Sequence, residues 1–199
     1  MKKLSNSSDV EVLSTVVGKL SAESLLQHFK TLRAVMTAPI KDLEVRPAIG
    51  KVKALKIKAL LEISNRFIEQ TLDKGAALTS PQITQRYLSS KLRDREAEVF
   101  SAILLDSQHR VLKYVELAHG TIDGAAVYPR EVAKTVLKEN AAAVIFAHNH
   151  PSGIAEASQA DKAITERLVK SLKLFDVRVL DHIIVGDGEF TSFAEKGWL

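Results

Sequence analysis

A short apolar segment, Ala142–Ala147, places the strongest constraint on how this chain can fold. All of its residues are hydrophobic, and a loop containing Pro151 and Gly153 follows it. A run of this kind, bounded by turn residues, is typical of a strand that is buried on both faces. Helical patterns flank it, one beginning at Pro129 and one spanning 158–174. The segment therefore predicts a sheet with helices packed against it, in an α/β (α+β) fold.

The rest of the C-terminal part adds further strand signals and one more helix. The strand patterns lie at 99–105, 111–117, 177–185 and, at an edge, 190–193. The first two are separated by a short polar segment and predict a β-hairpin. A short helix is expected at the C-terminus. Ser80 and Pro81 predict the N-cap and first residue of a helix that ends near Leu92.

The N-terminal part shows no strand pattern before residue 98. Helical patterns are found at 8–17, 22–31, 32–37 and from 51 to about 72. Ser21 is the expected N-cap of the second helix and Gly75 the expected C-cap of the last. The chain is thus expected to have two domains, an all-α module over 1–76 and a mixed-sheet domain over 77–199.

The charge of the chain is distributed unevenly between these two parts. Residues 1–78 carry 13 Lys and Arg against 8 Asp and Glu, whereas residues 79–199 carry 15 against 16. The net charge of +4 therefore comes from the N-terminal part. A basic module beside a nearly neutral one indicates different partners for the two, with a phosphate-bearing partner for the first.

Two absences narrow the function classes further. The sequence contains no cysteine, which excludes disulfides, thiolate zinc sites, cysteine nucleophiles and the cysteine-dependent nucleobase deaminases. Any metal must then be held by His and carboxylate side chains. No apolar run reaches the length of about 18–20 residues that spans a bilayer, and the N-terminus leads into polar sequence, so a cytoplasmic location is expected.

The residues that carry chemistry follow the apolar strand. His148 and His150 are two positions apart at its end, so period-two alternation puts both imidazoles on one side. Asp161 lies in the first turn of the next helix, which Ser158 begins, and can approach the two rings. Two His and one carboxylate leave a fourth position open for water, as in catalytic zinc sites. A general base is also needed, and the candidates are Glu98, Glu96 and Glu131, with Glu98 preferred.

Each of these residues also has a purely structural interpretation. His148 and His150 alone are compatible with strand-end histidines bonded to backbone carbonyls. Ser158 and Asp161 form an ordinary capping-box pattern, which is compatible with a site role as well. Glu98 fits a solvated strand start. His182, beside an aspartate on a strand, is expected to make a structural hydrogen bond rather than to bind metal.

The spacing His148-x-His150-x(7)-Ser158-x(2)-Asp161 is similar to the signature of JAMM (MPN+) metallopeptidases. Three short sequences resemble those of the bacterial RadC branch. They are Tyr-Pro-Arg-Glu at 128–131, Ala-His-Asn-His-Pro-Ser-Gly at 147–153 and Asp-His-Ile-Ile-Val-Gly-Asp-Gly at 181–188. The resemblance covers about residues 79–199, and 1–75 resemble more loosely the helical N-terminal region of the same proteins. It implies an MPN/JAMM-type mixed-sheet domain.

The resemblance also implies a role for each residue of the motif. His148, His150 and Asp161 would bind one Zn²⁺ per chain, and Glu98 would activate the zinc water and shuttle its proton. Ser158 would hydrogen-bond the oxyanion. The implied reaction is hydrolysis of a peptide or isopeptide amide in an unidentified protein or peptide. The alternatives are a DNA-binding or DNA repair-associated protein whose metal domain is a scaffold, and a protein-interaction platform.

A second motif lies in the basic module. The segment 46–55, Arg-Pro-Ala-Ile-Gly-Lys-Val-Lys-Ala-Leu, resembles the hairpin of helix-hairpin-helix DNA-binding elements, with Ala48 where the first glycine is expected. In such elements backbone N–H groups at a helix N-terminus approach a phosphate. The candidate DNA contacts are Lys51, Lys53, Lys56 and Lys58. The alternative is a solvated basic face on an amphipathic helix.

Overall fold

We describe a computed structural model of the chain over residues 4–70, 78, 81–120 and 127–199. The chain divides into two compact units, Met1–Phe67 and Ile68–Leu199. The predicted domain boundary at 76/77, the predicted cap at Gly75 and the predicted N-cap at Ser80 lie outside the described residues. No helix within the described ranges is long and apolar enough to cross a membrane.

The described part of the first unit is helical. Its α-helices are α1 (Asp9–Val17), α2 (Lys19–Phe29), α3 (Leu32–Thr37), α4 (Ile40–Glu44) and α5 (Lys51–Gln70). Ser8 caps α1 in a capping box with Glu11. Buried residues from all five helices, among them Leu13, Leu25, Val35, Leu43 and Ile57, form one core.

The prediction that Ser21 caps α2 is wrong. The helix begins three residues earlier, at Lys19, after Gly18. Gly18 has a φ of 85°, and the chain turns there between α1 and α2. Ser21 is instead buried inside α2, where its hydroxyl donates to the carbonyl of Ala48 at 3.0 Å. The serine therefore ties α2 to the turn before α5. The short helix α4, which the sequence patterns did not predict, leads into that turn.

The second unit contains a five-stranded sheet and, among its described residues, three helices. The elements are α6 (Pro81–Leu92), β1 (Val99–Leu105), β2 (Val111–His119), α7 (Pro129–Lys138), β3 (Ala143–Asn149), α8 (Gln159–Lys173), β4 (Arg178–Val185) and β5 (Phe190–Ser192). The strand order is β2-β1-β3-β4-β5. β3 and β4 are parallel and the other neighbouring pairs antiparallel, which confirms the predicted mixed sheet. The predicted terminal helix is wrong, since the chain after β5 forms turns.

Helices cover both faces of the sheet, which explains the uninterrupted apolar strand. On one face, Phe146 of β3 packs with buried residues of α7 and α8, such as Val136 and Leu168. On the other face, Ile145 and Ala147 pack with α6 through Leu88 and others. Every residue of β3 is buried, as predicted. This strand runs two residues beyond the predicted end and so includes His148.

Candidate metal centre

The carboxyl end of β3 carries the first candidate ligands. His148 belongs to the strand and His150 follows it, held by a backbone hydrogen bond from its N–H to the Val185 carbonyl at 3.0 Å. The chain then turns, with the Gly153 N–H donating to the carbonyl of His150 at 2.9 Å. It enters α8 at Ser158, so Asp161 lies in the first turn of that helix.

The side chains of His148, His150 and Asp161 form a cluster that could hold a metal ion. Nε2 of His148 lies 3.0 Å from Nε2 of His150 and 3.1 Å from Oδ1 of Asp161, and Nε2 of His150 lies 3.7 Å from Oδ2 of Asp161. Ligand atoms in a tetrahedral zinc site are roughly 3.3 Å apart, given metal–ligand lengths of about 2.0–2.1 Å. His148 and Asp161 are completely buried, whereas His150 is half-buried and gives the cluster one side toward solvent.

The hydrogen bonds around the cluster involve the outer atoms of His150 and Asp161 and leave their inner atoms facing His148. Nδ1 of His150 lies 2.8 Å from the carbonyl of Ile154, which can only accept, so Nδ1 carries a proton and, in the neutral ring, the lone pair is on Nε2. Oδ2 of Asp161 accepts the N–H and the hydroxyl of Ser158, both at 2.7 Å. Oδ1 is buried and receives no hydrogen bond from the described residues. Two acceptor atoms thus converge on Nε2 of His148, and one cation among the three satisfies them all, so the donor set fits a metal.

The electrostatics agree with a site prepared for a cation. Burial raises the pKa of Asp161, but the nearby His148 and His150 rings and the Ser158 hydroxyl outweigh it, so this pKa lies below its usual range. The contact with Asp161 in turn raises the pKa of His150, against the opposing effect of burial. The carboxylate is therefore charged and draws positive charge toward the two rings.

Ser158 has the structural role that its spacing predicted. It is the N-cap of α8 and its Oγ accepts the N–H of Asp161 at 3.1 Å, while the Asp161 carboxylate bonds back to the Ser158 N–H. The capping box therefore places the carboxylate as well as beginning the helix. Its contribution to catalysis stays a prediction.

Of the three candidate bases, Glu98 is the one whose charge acts on His150. It immediately precedes β1, is half-buried, and its charge contributes to the raised pKa of His150. Glu96 is exposed, and Glu131 is exposed on α7, where it pairs with Arg130 and Lys134. Glu98 is thus close enough to His150 for its charge to act on that ring, and its role as general base stays a prediction.

Asn149, between the two histidines, was not singled out by sequence analysis. Its side chain is buried, and Oδ1 accepts the Val99 N–H at 2.8 Å while Nδ2 donates to the carbonyls of Arg95 and Ala97 at 3.3 and 3.1 Å. These bonds fix the chain on both sides of Glu98. The sequence did contain a signal for this role, namely an amide side chain at the end of an apolar strand. A buried amide needs hydrogen-bond partners, so such a residue is expected to bind neighbouring backbone groups.

His182 forms a second layer behind the cluster. Its Nε2 lies 2.8 Å from Nδ1 of His148 and its Nδ1 lies 2.6 Å from the hydroxyl of Thr165. Complete burial lowers the pKa of His182 well below its usual value, so the ring is neutral. The structure places it as a hydrogen-bonded residue outside the ligand group, in line with the prediction, although the sequence did not reveal that its partner is His148.

The four lysines proposed for DNA contact differ in their surroundings. Lys53 donates to Oγ of Ser21 at 2.8 Å and to the carbonyl of Ala48 at 2.9 Å, and Lys58 donates to the carbonyl of Met36 at 2.8 Å. Lys51 and Lys56 are exposed. Two of the four side chains therefore stabilise the helical unit itself.

Comparison with known proteins places this geometry in a family context. Residues 78–198 match the family described as "RadC-like JAB domain". A UPF0758 protein from Tolumonas auensis is 55% identical over 178 residues, covering 89% of this chain and 80% of that protein. One from Nitrosococcus oceani is 53% identical over 200 residues, covering 96% and 89%. One from Shewanella oneidensis is 49% identical over 207 residues, covering 100% and 92%.

Proposed function

The chain belongs to the RadC-like JAB domain family, as its resemblance to the RadC branch predicted, and we propose that it is a zinc-dependent hydrolase that cleaves a peptide or isopeptide amide. JAB domains are often metal-dependent hydrolases. The observation that supports the proposal is the convergence of His150 Nε2 and Asp161 Oδ1 on His148 Nε2 at 3.0 and 3.1 Å. Two His and one carboxylate are the protein ligands of an open, catalytic zinc site.

The ligands divide the work of binding between them. As metal ligands, His148 and His150 each offer the lone pair of Nε2, and Asp161 offers the negative charge. When bound, zinc supplies Lewis acidity toward a substrate carbonyl and makes hydroxide available near neutral pH. Zinc is the ion proposed because imidazole with carboxylate suits it better than Mg²⁺ or Ca²⁺, which take oxygen ligands. The half-buried His150 marks the side from which substrate approaches.

Glu98 and Ser158 supply the proton transfer and the oxyanion contact in this proposal. Glu98 accepts a proton from the attacking water and returns it to the leaving amine. The Ser158 hydroxyl, which donates to Asp161 at 2.7 Å, rotates to donate to the oxyanion. Asp161 keeps the Ser158 N–H at 2.7 Å during that rotation, so the carboxylate stays in place.

Metal analysis tests the ligand set directly. We expect about one zinc per chain in the purified protein, measured by elemental analysis, and a sharp reduction in a variant that combines His148→Ala with Asp161→Asn. Circular dichroism of the variant checks that it is folded. A folded wild type that takes up no zinc when zinc is supplied would end the hydrolase proposal.

A peptide-cleavage screen tests the chemistry. Any substrate that the wild type cleaves should be left intact by Glu98→Gln, while zinc content is unchanged, because the amide cannot accept the proton. Glu131→Gln is the matched control, since it removes an exposed carboxylate that was one of the two alternative bases, and it should cleave at the wild-type rate. An active Glu98→Gln variant would show that the base is another residue.

The basic unit supports a second candidate function, the binding of DNA phosphates. The observation that favours it is the φ of 62° at Ala48, since this residue adopts the left-handed conformation of the glycine that the DNA-binding hairpin would carry. The turn leads into the N-terminus of α5, where Lys51 is exposed. A phosphate there would meet backbone N–H groups and a positive charge.

Salt-dependent DNA binding measures this candidate function. Replacing Lys51 and Lys56 by Gln should weaken binding and reduce the slope of log K against log salt by about 1.8, at about 0.9 for each phosphate contact. The control variant changes Lys170 and Lys173 of α8 to Gln, which alters net charge equally. Equal effects of the two variants, or no binding by the wild type, would leave the N-terminal lysines as a solvated surface.

A further inference from the structure

A buried chain of hydrogen bonds connects two of the candidate ligands behind the metal cluster. It runs from Nδ1 of His148 to Nε2 of His182, from Nδ1 of His182 to Oγ1 of Thr165, and from there to the backbone carbonyl of Asp161 at 2.5 Å. His148, His182 and Thr165 are all buried. The rings of Phe100 and Phe193 lie 5.4 and 4.7 Å from His182, so water is kept from its faces.

The direction of each bond follows from the carbonyl at the end of the chain. A carbonyl only accepts, so the single proton of the Thr165 hydroxyl points to Asp161. Oγ1 must then accept from His182, which places the proton of that ring on Nδ1. In a neutral ring Nε2 is left as an acceptor, and it takes the Nδ1 proton of His148. The lone pair of His148 is therefore on Nε2, the atom that faces His150 and Asp161.

We propose that His182 is a positioning residue that, together with Thr165, fixes His148 in the tautomer required of a metal ligand. The inference rests on the proposed function in that it takes His148 as a ligand through Nε2. The chain of hydrogen bonds also fixes the distance between His148 on β3 and Asp161 on α8, because it starts at the ring of His148 and ends at the backbone carbonyl of Asp161. Second-layer contacts of this kind change metal affinity by about 10–100-fold.

Zinc affinity of variants, measured by competition with a chromophoric chelator, tests the energetic part. Thr165→Val is isosteric and removes the acceptor for Nδ1 of His182, and we expect a loss of affinity of about 10-fold or more. His182→Leu should lose at least as much. His182→Gln should bind zinc within a few-fold of wild type, because its amide offers an oxygen acceptor to His148, and Thr165→Ser should do the same. Phe193→Leu disturbs the same buried region without touching the chain of hydrogen bonds and should keep its affinity.

The tautomers themselves are measured by long-range nitrogen–proton NMR of the histidine rings in the metal-free protein. We expect His148 and His182 both protonated on Nδ1 in the wild type, and His148 to become a mixture of tautomers in Thr165→Val. Protonation of His148 on Nε2 in the wild type, or wild-type zinc affinity in both Thr165→Val and His182→Leu, would overturn the inference. Failure of the proposed function is distinct, since the wild type would then bind no zinc whatever its tautomers.

Discussion

Replacing Gly186 by alanine should damage the metal centre from outside it. A Cβ on Gly186 would lie 2.4 Å from the carbonyl oxygen of Gly153 and 3.0 Å from the backbone nitrogen of Ala155. An ordinary carbon–oxygen contact is about 3.3 Å, so the loop would have to move by about 0.9 Å. That loop includes Ile154, whose carbonyl accepts the Nδ1 proton of His150 at 2.8 Å. The hydrogen bond from Asp187 N–H to the Gly153 carbonyl, at 2.7 Å, opposes the movement.

The expected cost is that of overpacking, about 1–3 kcal/mol in the free energy of unfolding, or a fall of about 3–9 °C in Tm. Because His150 loses its fixed partner, zinc affinity should fall about 10-fold. Thermal unfolding followed by circular dichroism and chelator competition measure the two effects. Gly188→Ala is the matched control, since its Cβ meets nothing within 4 Å and only its φ of 82° is unfavourable. Equal stability losses in the two variants, or unchanged zinc affinity in Gly186→Ala, would refute the reasoning.

Substitutions at Ser158, Asn149 and Ala48 test three further contributions of single residues. Ser158→Ala should lower the free energy of unfolding, measured by chemical denaturation, by about 1 kcal/mol, and Ser158→Gly by a few tenths, because glycine is a better N-cap than alanine. Both variants lose the hydroxyl, so if that hydroxyl is catalytic they should lose turnover equally although their losses of stability differ. Asn149→Ala should cost about 2–3 kcal/mol in the same assay, because the buried Val99 N–H loses its partner, and wild-type stability would contradict this. Ala48→Gly should stabilise the helical unit by about 0.5–1 kcal/mol in urea unfolding, because relief of the left-handed strain at Ala48 exceeds the entropy that glycine adds to the unfolded chain. Ala59→Gly, at an exposed position of α5, should destabilise the unit.

The parts of the site that sequence could predict are those set by local geometry. His148, His150 and Asp161 are brought together by one strand end, one turn and one helix start, and each of these has a short-range signal. The glycine and proline of the loop, the alternation along β3 and the capping pattern at Ser158 were sufficient to predict that these three side chains lie close together. Glu98 needed the family resemblance, because its position depends on the pairing of β1 with β3, in which Phe100 lies opposite His148.

The parts that sequence missed depend on contacts between distant segments. His182 reaches His148 through the parallel pairing of β3 with β4, in which it lies opposite Phe146, and no spacing rule states that register. Ser21 resembles an N-cap locally, but its hydroxyl is used by Ala48, 27 residues away. Lys53 and Lys58 resemble members of a basic surface until their carbonyl partners are known.

The distances along the chain between the partners of the metal centre have a consequence for folding order. His148 and Asp161 are 13 positions apart, whereas the hydrogen bond from the Val99 N–H to Oδ1 of Asn149 closes a loop of 50. Closing the longer loop costs about 1 kcal/mol more chain entropy than closing the shorter one. The β3–turn–α8 segment can therefore assemble early, with its ligands in reach of a cation, while Glu98 and His182 join from remote strands. During folding, the protein would then be able to bind an ion before Glu98 and His182 are in place.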